Sequence, residues 1–232
     1  MTAETGGGET ADGAAAVEHH LEVVRGARYW TLGATEADTE EVWIVLHGYG
    51  QLARRFLRRF EGLATPGRLI VAPEALSRFY VGSGEGRHGP GALVGATWMT
   101  REDRDAEIRD YVAYLDRLAA AILRGAPRVT VVGFSQGVAT AWRWISYGSV
   151  PGLERLVAWS GELPPDLDLG MASEALGRAE VVVVSGEKDP TVPPELAERT
   201  VSCLAAAGVT ARALRHGGGH DIDEATLLGI AG

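Results

Sequence analysis

Asparagine is absent from this chain of 232 residues, lysine occurs once, at Lys188, and cysteine once, at Cys203. A lone cysteine cannot close an internal disulfide, so no covalent framework holds the fold. The joint scarcity of Lys and Asn reads as G+C-rich coding, because both use A/T-rich codons, with a hot habitat as the alternative; adaptation to heat would remove the amide but favour lysine. Long apolar runs are lacking too, and nothing approaches the roughly 18 to 20 residues of a membrane-crossing helix. The opening MTAETGGGETADGAAA has neither a basic start nor an apolar stretch of signal-peptide length. That reads as a cytoplasmic protein with no stable membrane insertion. Positive charge is in deficit, 22 Lys+Arg against 31 Asp+Glu, for a net charge of −9. This sign gives no electrostatic footprint for a phosphate backbone or an anionic bilayer, so no nucleic-acid partner is expected.

What is present is 46% hydrophobic, enough for a sizeable core in one domain. Residues 1–16, rich in Gly, Ala, Thr and Glu with nothing to bury, are expected to form a disordered tail, and 17–232 a single domain. From Val17 onward β-rich and helix-periodic segments alternate, the pattern of an α/β protein with a mostly parallel central sheet and helices on both faces. Strands are expected at 20–24 and 27–32, as a hairpin about Arg25-Gly26, then at 41–46, 68–72, 128–132, 153–159, 180–185 and 210–215. Several are unbroken apolar runs (EVWIVL, EVVVVS), as strands covered on both faces should be. Ile108, Tyr111, Val112, Leu115, Leu118, Ala119 and Ile122 recur at helical spacing and predict a long amphipathic helix over 102–123. Shorter helices are expected at 52–63, 136–147, 195–207 and 221–228. Residues 81–97 hold six glycines and read as a long loop, either a mobile flap or surface slack.

The sharpest motif is Gly133-Phe134-Ser135-Gln136-Gly137, which directly follows the apolar strand RVTVV and directly precedes a helix. A serine at such a turn stands exposed at a helix N-terminus, and the flanking glycines let strand and helix backbones come close. A hydroxyl is a weak nucleophile at neutral pH and needs an imidazole base backed by a carboxylate. In chain order the acid and then the histidine follow the serine. Only His216 and His220 lie late enough; His220, in a Gly-Gly-Gly-His loop, is favoured over His216, which ends the last strand. For the acid, Asp189 follows the strand EVVVVS and is favoured over Glu187, Asp166 and Asp168. The oxyanion of acyl transfer needs two backbone N–H donors. One is expected from Gln136, the residue after the nucleophile, and the other from Tyr49 in the loop His47-Gly48-Tyr49-Gly50. His47 precedes the serine and is expected to pin that loop, not to act as base.

With these residues in place the chain resembles the phospholipase/carboxylesterase family of α/β-hydrolases, which includes small bacterial carboxylesterases and acyl-protein thioesterases. The resemblance rests on LHGYG at 46–50, GFSQG at 133–137, AWSGELP at 158–164, GEKDPTVP at 186–193 and GGGHDI at 217–222. It implies an α/β-hydrolase fold with no large cap domain, no metal and no cofactor. It also implies Ser135, Asp189 and His220 as a catalytic triad, with Tyr49 and Gln136 as the oxyanion hole. Trp98 and Met99, and Leu163 and Pro164, correspond to the region that lines the acyl pocket in similar proteins, with core packing as the alternative for the first pair. The function expected is a serine carboxylesterase acting on small to medium acyl esters, small-molecule substrates, through an acyl-enzyme. A thioesterase or lysophospholipase with the same triad, or an inactive binding scaffold, is the alternative. Oligomeric state stays open, a homodimer being one option.

Overall fold

The computed structural model describes residues 16–34, 39–82, 89–125 and 127–232; the tail expected at 1–16 lies, up to residue 15, outside them. Seven strands form the central sheet: β1 (Tyr29–Gly33), β2 (Glu41–Leu46), β3 (Arg68–Pro73), β6 (Arg128–Phe134), β7 (Leu153–Trp159), β8 (Glu180–Gly186) and β9 (Ala211–His216). Their order is β1-β3-β2-β6-β7-β8-β9. Only β1 runs antiparallel, paired to β3, and the other six are parallel. The parallel connections are right for this order because each passes through helix, which is the economical way to return a chain to the same sheet edge.

The apolar runs sort by parity, as the two-residue period of a strand requires. In β2, Val42, Ile44 and Leu46 enter one core with helices α2 (Arg104–Ile122), α3 (Gln136–Tyr147), α4 (Leu169–Leu176) and α5 (Leu196–Ala206), while Trp43 and Val45 enter the other with α1 (Ala53–Leu57) and α6 (Glu224–Ala231). All seven residues of the spaced apolar stripe predicted for the long helix are buried in α2. Trp142 and Trp144 are both fully buried on α3, and Trp144 Nε1–H donates to Asp116 on α2 at 2.8 Å.

Three expectations need correction, and one helix is unforeseen. No strand forms at 20–24: Leu21, Val23 and Val24 are exposed and 16–28 carries no regular structure. A two-stranded ribbon there would have no face to bury, which leaves it marginal. The helix expected over 52–63 is α1 followed by a 3-10 turn over Arg58–Leu63, since Gly62 in its last turn is a poor helix former. The loop expected over 81–97 ends earlier: Val94–Thr97 is strand β5, antiparallel to β4 (Ser77–Tyr80). Residues 83–88 of that loop lie outside the described residues. Helix α4 was not expected at all, although Asp168 caps it through Gly170 N–H and Met171 N–H (2.8 and 3.0 Å).

Candidate active site

Parallel strands all present their carboxyl ends at one edge, and in open α/β sheets that edge gathers the functional loops. β6 ends there at Phe134, and Ser135 makes the turn into α3 with φ 53° and ψ −118°. A non-glycine residue in that region is strained, and such strain persists only where the surroundings enforce it. Here they do. A Cβ at Gly133 would run into the Gly137 backbone, and one at Gly137 into the carbonyls of Leu46 and His47. The two glycines therefore let β6, α3 and the end of β2 close on the serine, and Ser135 N–H is tied to Trp159 O at 2.9 Å.

The loop after β8 carries Asp189 to the same edge. Its side chain is fully buried; Oδ1 accepts Thr191 N–H (2.8 Å) and Val192 N–H (3.0 Å), and Oδ2 faces His220 Nδ1 at 2.7 Å. Burial pushes this carboxyl's pKa up, but the backbone and imidazole hydrogen bonds outweigh it and hold the pKa below the usual value of 3.8. An ionised carboxylate only accepts, so Nδ1 carries the hydrogen of this bond. The His220 loop is docked on the acid loop by Lys188 N–H to Gly218 O (2.9 Å). The imidazole lies against Phe134, centroids 4.9 Å apart, beside the residue that precedes Ser135. Arg59 pairs with the neighbouring Asp221 at 2.9 Å. Among the described residues Ser135 and His220 share no hydrogen bond; such contacts commonly tighten only with substrate bound.

The rival residues are engaged elsewhere. Asp166 pairs with Arg143 (2.8 Å) and with Arg104, Asp168 caps α4, and Glu187 is exposed. His216 is buried against Trp159 at 5.7 Å, and its Nδ1 accepts Gly218 N–H at 3.2 Å.

The loop after β2 is held by three hydrogen bonds, one to a side chain and one to β5. Gly48 N–H donates to Gln51 Oε1 (2.9 Å), Gly50 N–H to Ala96 O (2.9 Å) and Gln51 N–H to Gly48 O (3.2 Å). Among the described residues the Tyr49 N–H has no such partner. The Gln136 N–H is the first of α3, where no intrahelical acceptor exists. His47 sits underneath, fully buried: Nδ1 donates to Gly48 O (2.8 Å) and Nε2 accepts Ala75 N–H (3.1 Å). Burial lowers its pKa, so it stays neutral and holds the loop.

The four residues read as pocket lining are placed unequally. Met99 and Leu163 are half-buried beside the larger core and Pro164 is buried. Trp98 is 3% exposed, inside that core, which leaves its indole almost no surface to offer a ligand. Tyr49 instead turns its ring outward onto Phe79, centroids 5.1 Å apart. Two features escaped the sequence. One is the Gln136 side chain, which clamps segment 97–99; the other is Arg143, a buried cation on α3 beneath the loop that carries Leu163. A guanidinium in an otherwise uncharged helix was the available signal. A cavity of about 470 Å³ between Glu41, Arg68, Arg128 and Arg155 opens at the opposite edge of the sheet and shares none of these groups.

A mostly parallel sheet, flanked by helices and carrying a serine elbow on its carboxyl edge without a large cap, is an α/β-hydrolase. The family model Serine hydrolase (FSH1) matches residues 39–225, and the chain belongs to that family. Among solved structures it is similar to the esterase PE8, at 23% identity over 88% of this chain and 96% of that one, with a TM-score of 0.66. It is also similar to acyl-protein thioesterase 2 of Zea mays, at 20% identity over 89% and 96%, TM-score 0.64. A phospholipase/carboxylesterase from Dyadobacter fermentans matches at 19% identity over 89% and 96%, TM-score 0.61. The likeness expected from the motifs is thus borne out at the level of family and fold. A comparison with curated protein sequences found no match. Among the described residues no helix is long and apolar enough to cross a membrane.

Proposed function

We propose that this serine hydrolase cleaves carboxylic esters of small to medium acyl groups through an acyl-enzyme on Ser135. The observation that carries the reading is the fully buried Asp189, fixed by two backbone amides and bonded to His220 at 2.7 Å, beside a strained serine elbow. In the first half-reaction His220 Nε2 takes the Ser135 proton as Oγ attacks the ester carbonyl. The oxyanion is received by the Tyr49 and Gln136 amides, and the imidazolium returns its proton to the departing alcohol. In the second half-reaction water attacks the acyl-enzyme by the same route, releasing the acid and regenerating Ser135. Asp189 keeps the imidazole in the tautomer that accepts at Nε2 and stabilises its charged form. Met99, Leu163 and Pro164 flank the acyl group, and the domain works in the cytoplasm as residues 17–232.

The test combines a fluorophosphonate probe, mapped by peptide mass to its attachment site, with hydrolysis of p-nitrophenyl esters of rising chain length and of acyl-CoA thioesters. Labelling at Ser135 and loss of turnover in Ser135→Ala by at least about a thousandfold are expected. Labelling elsewhere refutes the nucleophile. A preference for the thioesters transfers the reading to a thioesterase with the same triad.

A further inference from the structure

Segment 95–99 is bonded on one side to the Gln136 side chain and on the other to the loop that carries Tyr49, and Trp98 takes part in both sets of bonds. On one side its backbone N–H donates to Gln136 Oε1 at 3.1 Å, while Gln136 Nε2 donates to Thr97 Oγ1 and to Met99 O, each at 2.9 Å. On the other side its indole Nε1–H donates to His47 O at 2.8 Å, two residues before Tyr49. The loop is also stitched to the same segment by Gly50 N–H to Ala96 O (2.9 Å) and Ala96 N–H to Gln51 O (3.1 Å). A side chain at Gly95 would strike the Gly50 backbone, so the two run flush. The indole itself is fixed edge-on against Tyr111 (centroids 6.4 Å, 80°) and tilted against the His47 ring at 5.2 Å.

The geometry points to Trp98 as a positioning residue that sets the separation of the Tyr49 and Gln136 amides, its peptide holding the Gln136 side and its indole N–H the His47 side. This rests on the assignment of those two amides under Proposed function. Donors stabilise an oxyanion only if they are in place before the charge develops. The loop His47-Gly48-Tyr49-Gly50 contains two glycines and cannot supply that rigidity alone, whereas a strut anchored in the core can. The carbonyl oxygen moves fully onto the donors only as the carbon becomes tetrahedral. Misplaced donors therefore weaken the transition state more than the bound ester, and the loss falls on kcat while KM is spared. A wall of the acyl pocket would act differently, by changing which chain length is preferred.

Two variants test the strut from its two ends. Trp98→Phe removes the indole N–H and keeps an aromatic ring; Gln136→Leu removes the side-chain amide and keeps the backbone N–H. Both are compared with the wild-type protein on p-nitrophenyl esters of several chain lengths and with a short alkyl trifluoromethyl ketone, whose hemiketal oxygen imitates the oxyanion. Each variant is expected to lower kcat about 10- to 100-fold on every ester, the range between a lost supporting contact and a lost oxyanion donor. KM should stay within about threefold, and the ketone Ki should rise by the factor that kcat/KM falls. Unchanged kcat and Ki in the folded variants overturn the proposal. So does an altered chain-length preference with an unaltered Ki, which makes Trp98 a pocket residue. If Trp98→Phe fails to fold, Gln136→Leu decides by the same criteria. Failure of the wild-type protein to be labelled at Ser135 refutes the parent reading instead, and is seen before either variant is made.

Discussion

Asp189→Asn separates the catalytic role proposed for this carboxylate from its structural one. Oδ1 takes two backbone N–H groups, from Thr191 and Val192, and Oδ2 takes His220 Nδ1. Asparagine has one acceptor oxygen, and the two amides claim it, because turning the NH2 toward them would leave two buried donors facing a donor, at about 1–3 kcal/mol each. The Asn nitrogen then faces His220 Nδ1 and donates to it. That moves the imidazole hydrogen to Nε2, the atom proposed to accept the Ser135 proton. Loss of the required tautomer is worth about 10⁴-fold in kcat, or about 5 kcal/mol. Stability should change little, because the amide bonds survive, whereas Asp189→Ala also forfeits those bonds and should lower stability by about 2 kcal/mol or more. Steady-state hydrolysis of a p-nitrophenyl ester and urea denaturation of both variants provide the readouts. An Asp189→Asn enzyme within about tenfold of wild type would falsify the assignment and turn attention to Glu187. The folded carboxyl titrates below 3.8, so Asp189 stays ionised above that pH and an acid limb of kcat/KM seen above it belongs to another group.

Two further outcomes follow from the surroundings of the site. Burial acts to raise the pKa of Asp166, yet Arg143 and Arg104 bring it down to about 2 from 3.8. A depressed carboxyl contributes stability above its unfolded pKa and loses it as pH falls through the folded one. Asp166→Asn should therefore destabilise the protein at pH 7 and do so much less near pH 2, as urea titrations at the two pH values would show. About 1–2 kcal/mol is expected at pH 7, less than for a sealed pair because Asp166 is partly in solvent; equal stability at pH 7 refutes it. Gly137→Ala drives a Cβ into the Leu46 and His47 carbonyls, while at Gly217 the same methyl meets open space. The first should lose about 1–3 kcal/mol and most activity, and the second little of either; a thermal melt and an ester assay decide, and equal behaviour removes the close approach as the reason for glycine.

How much of this was legible depended on whether the signal was local. The parallel strands were readable because burial on both faces makes each an apolar run, and β7 and α3 were foreseen to the residue. The elbow was readable because strand, tight turn and helix are contiguous at 128–147. The hairpin β4–β5 was not, since its second strand, Val94-Gly-Ala-Thr, has too little side chain to show a period; its identity comes from pairing with Ser77–Tyr80 and from lying against Gly50. The strand expected at 20–24 failed for the opposite reason, having the right residues and nothing to cover them. By chain order Asp166 and Asp168 also qualify as acids, and only the tertiary structure shows one serving two arginines and the other a helix start. Trp98 looked like a pocket wall because it follows a glycine-rich stretch; which way its indole turns is a property of packing that no spacing encodes.

Backbone strain is spread unevenly over this molecule. Among the described residues only Asp103, Ser135 and Ser160 are non-glycine residues with positive φ. Two of the three occupy the ends of adjacent strands: Ser135 after β6, and Ser160 after β7, the latter tied by its N–H to Val184 O at 2.8 Å. Each such conformation costs about 1–3 kcal/mol, which the well-packed sheet behind it has to outweigh. Glycine would relieve that burden at either position, so the proposed nucleophile occupies a place where the protein could become sturdier by giving up its chemistry. Selection for durability and selection for catalysis pull this edge of the sheet in opposite directions.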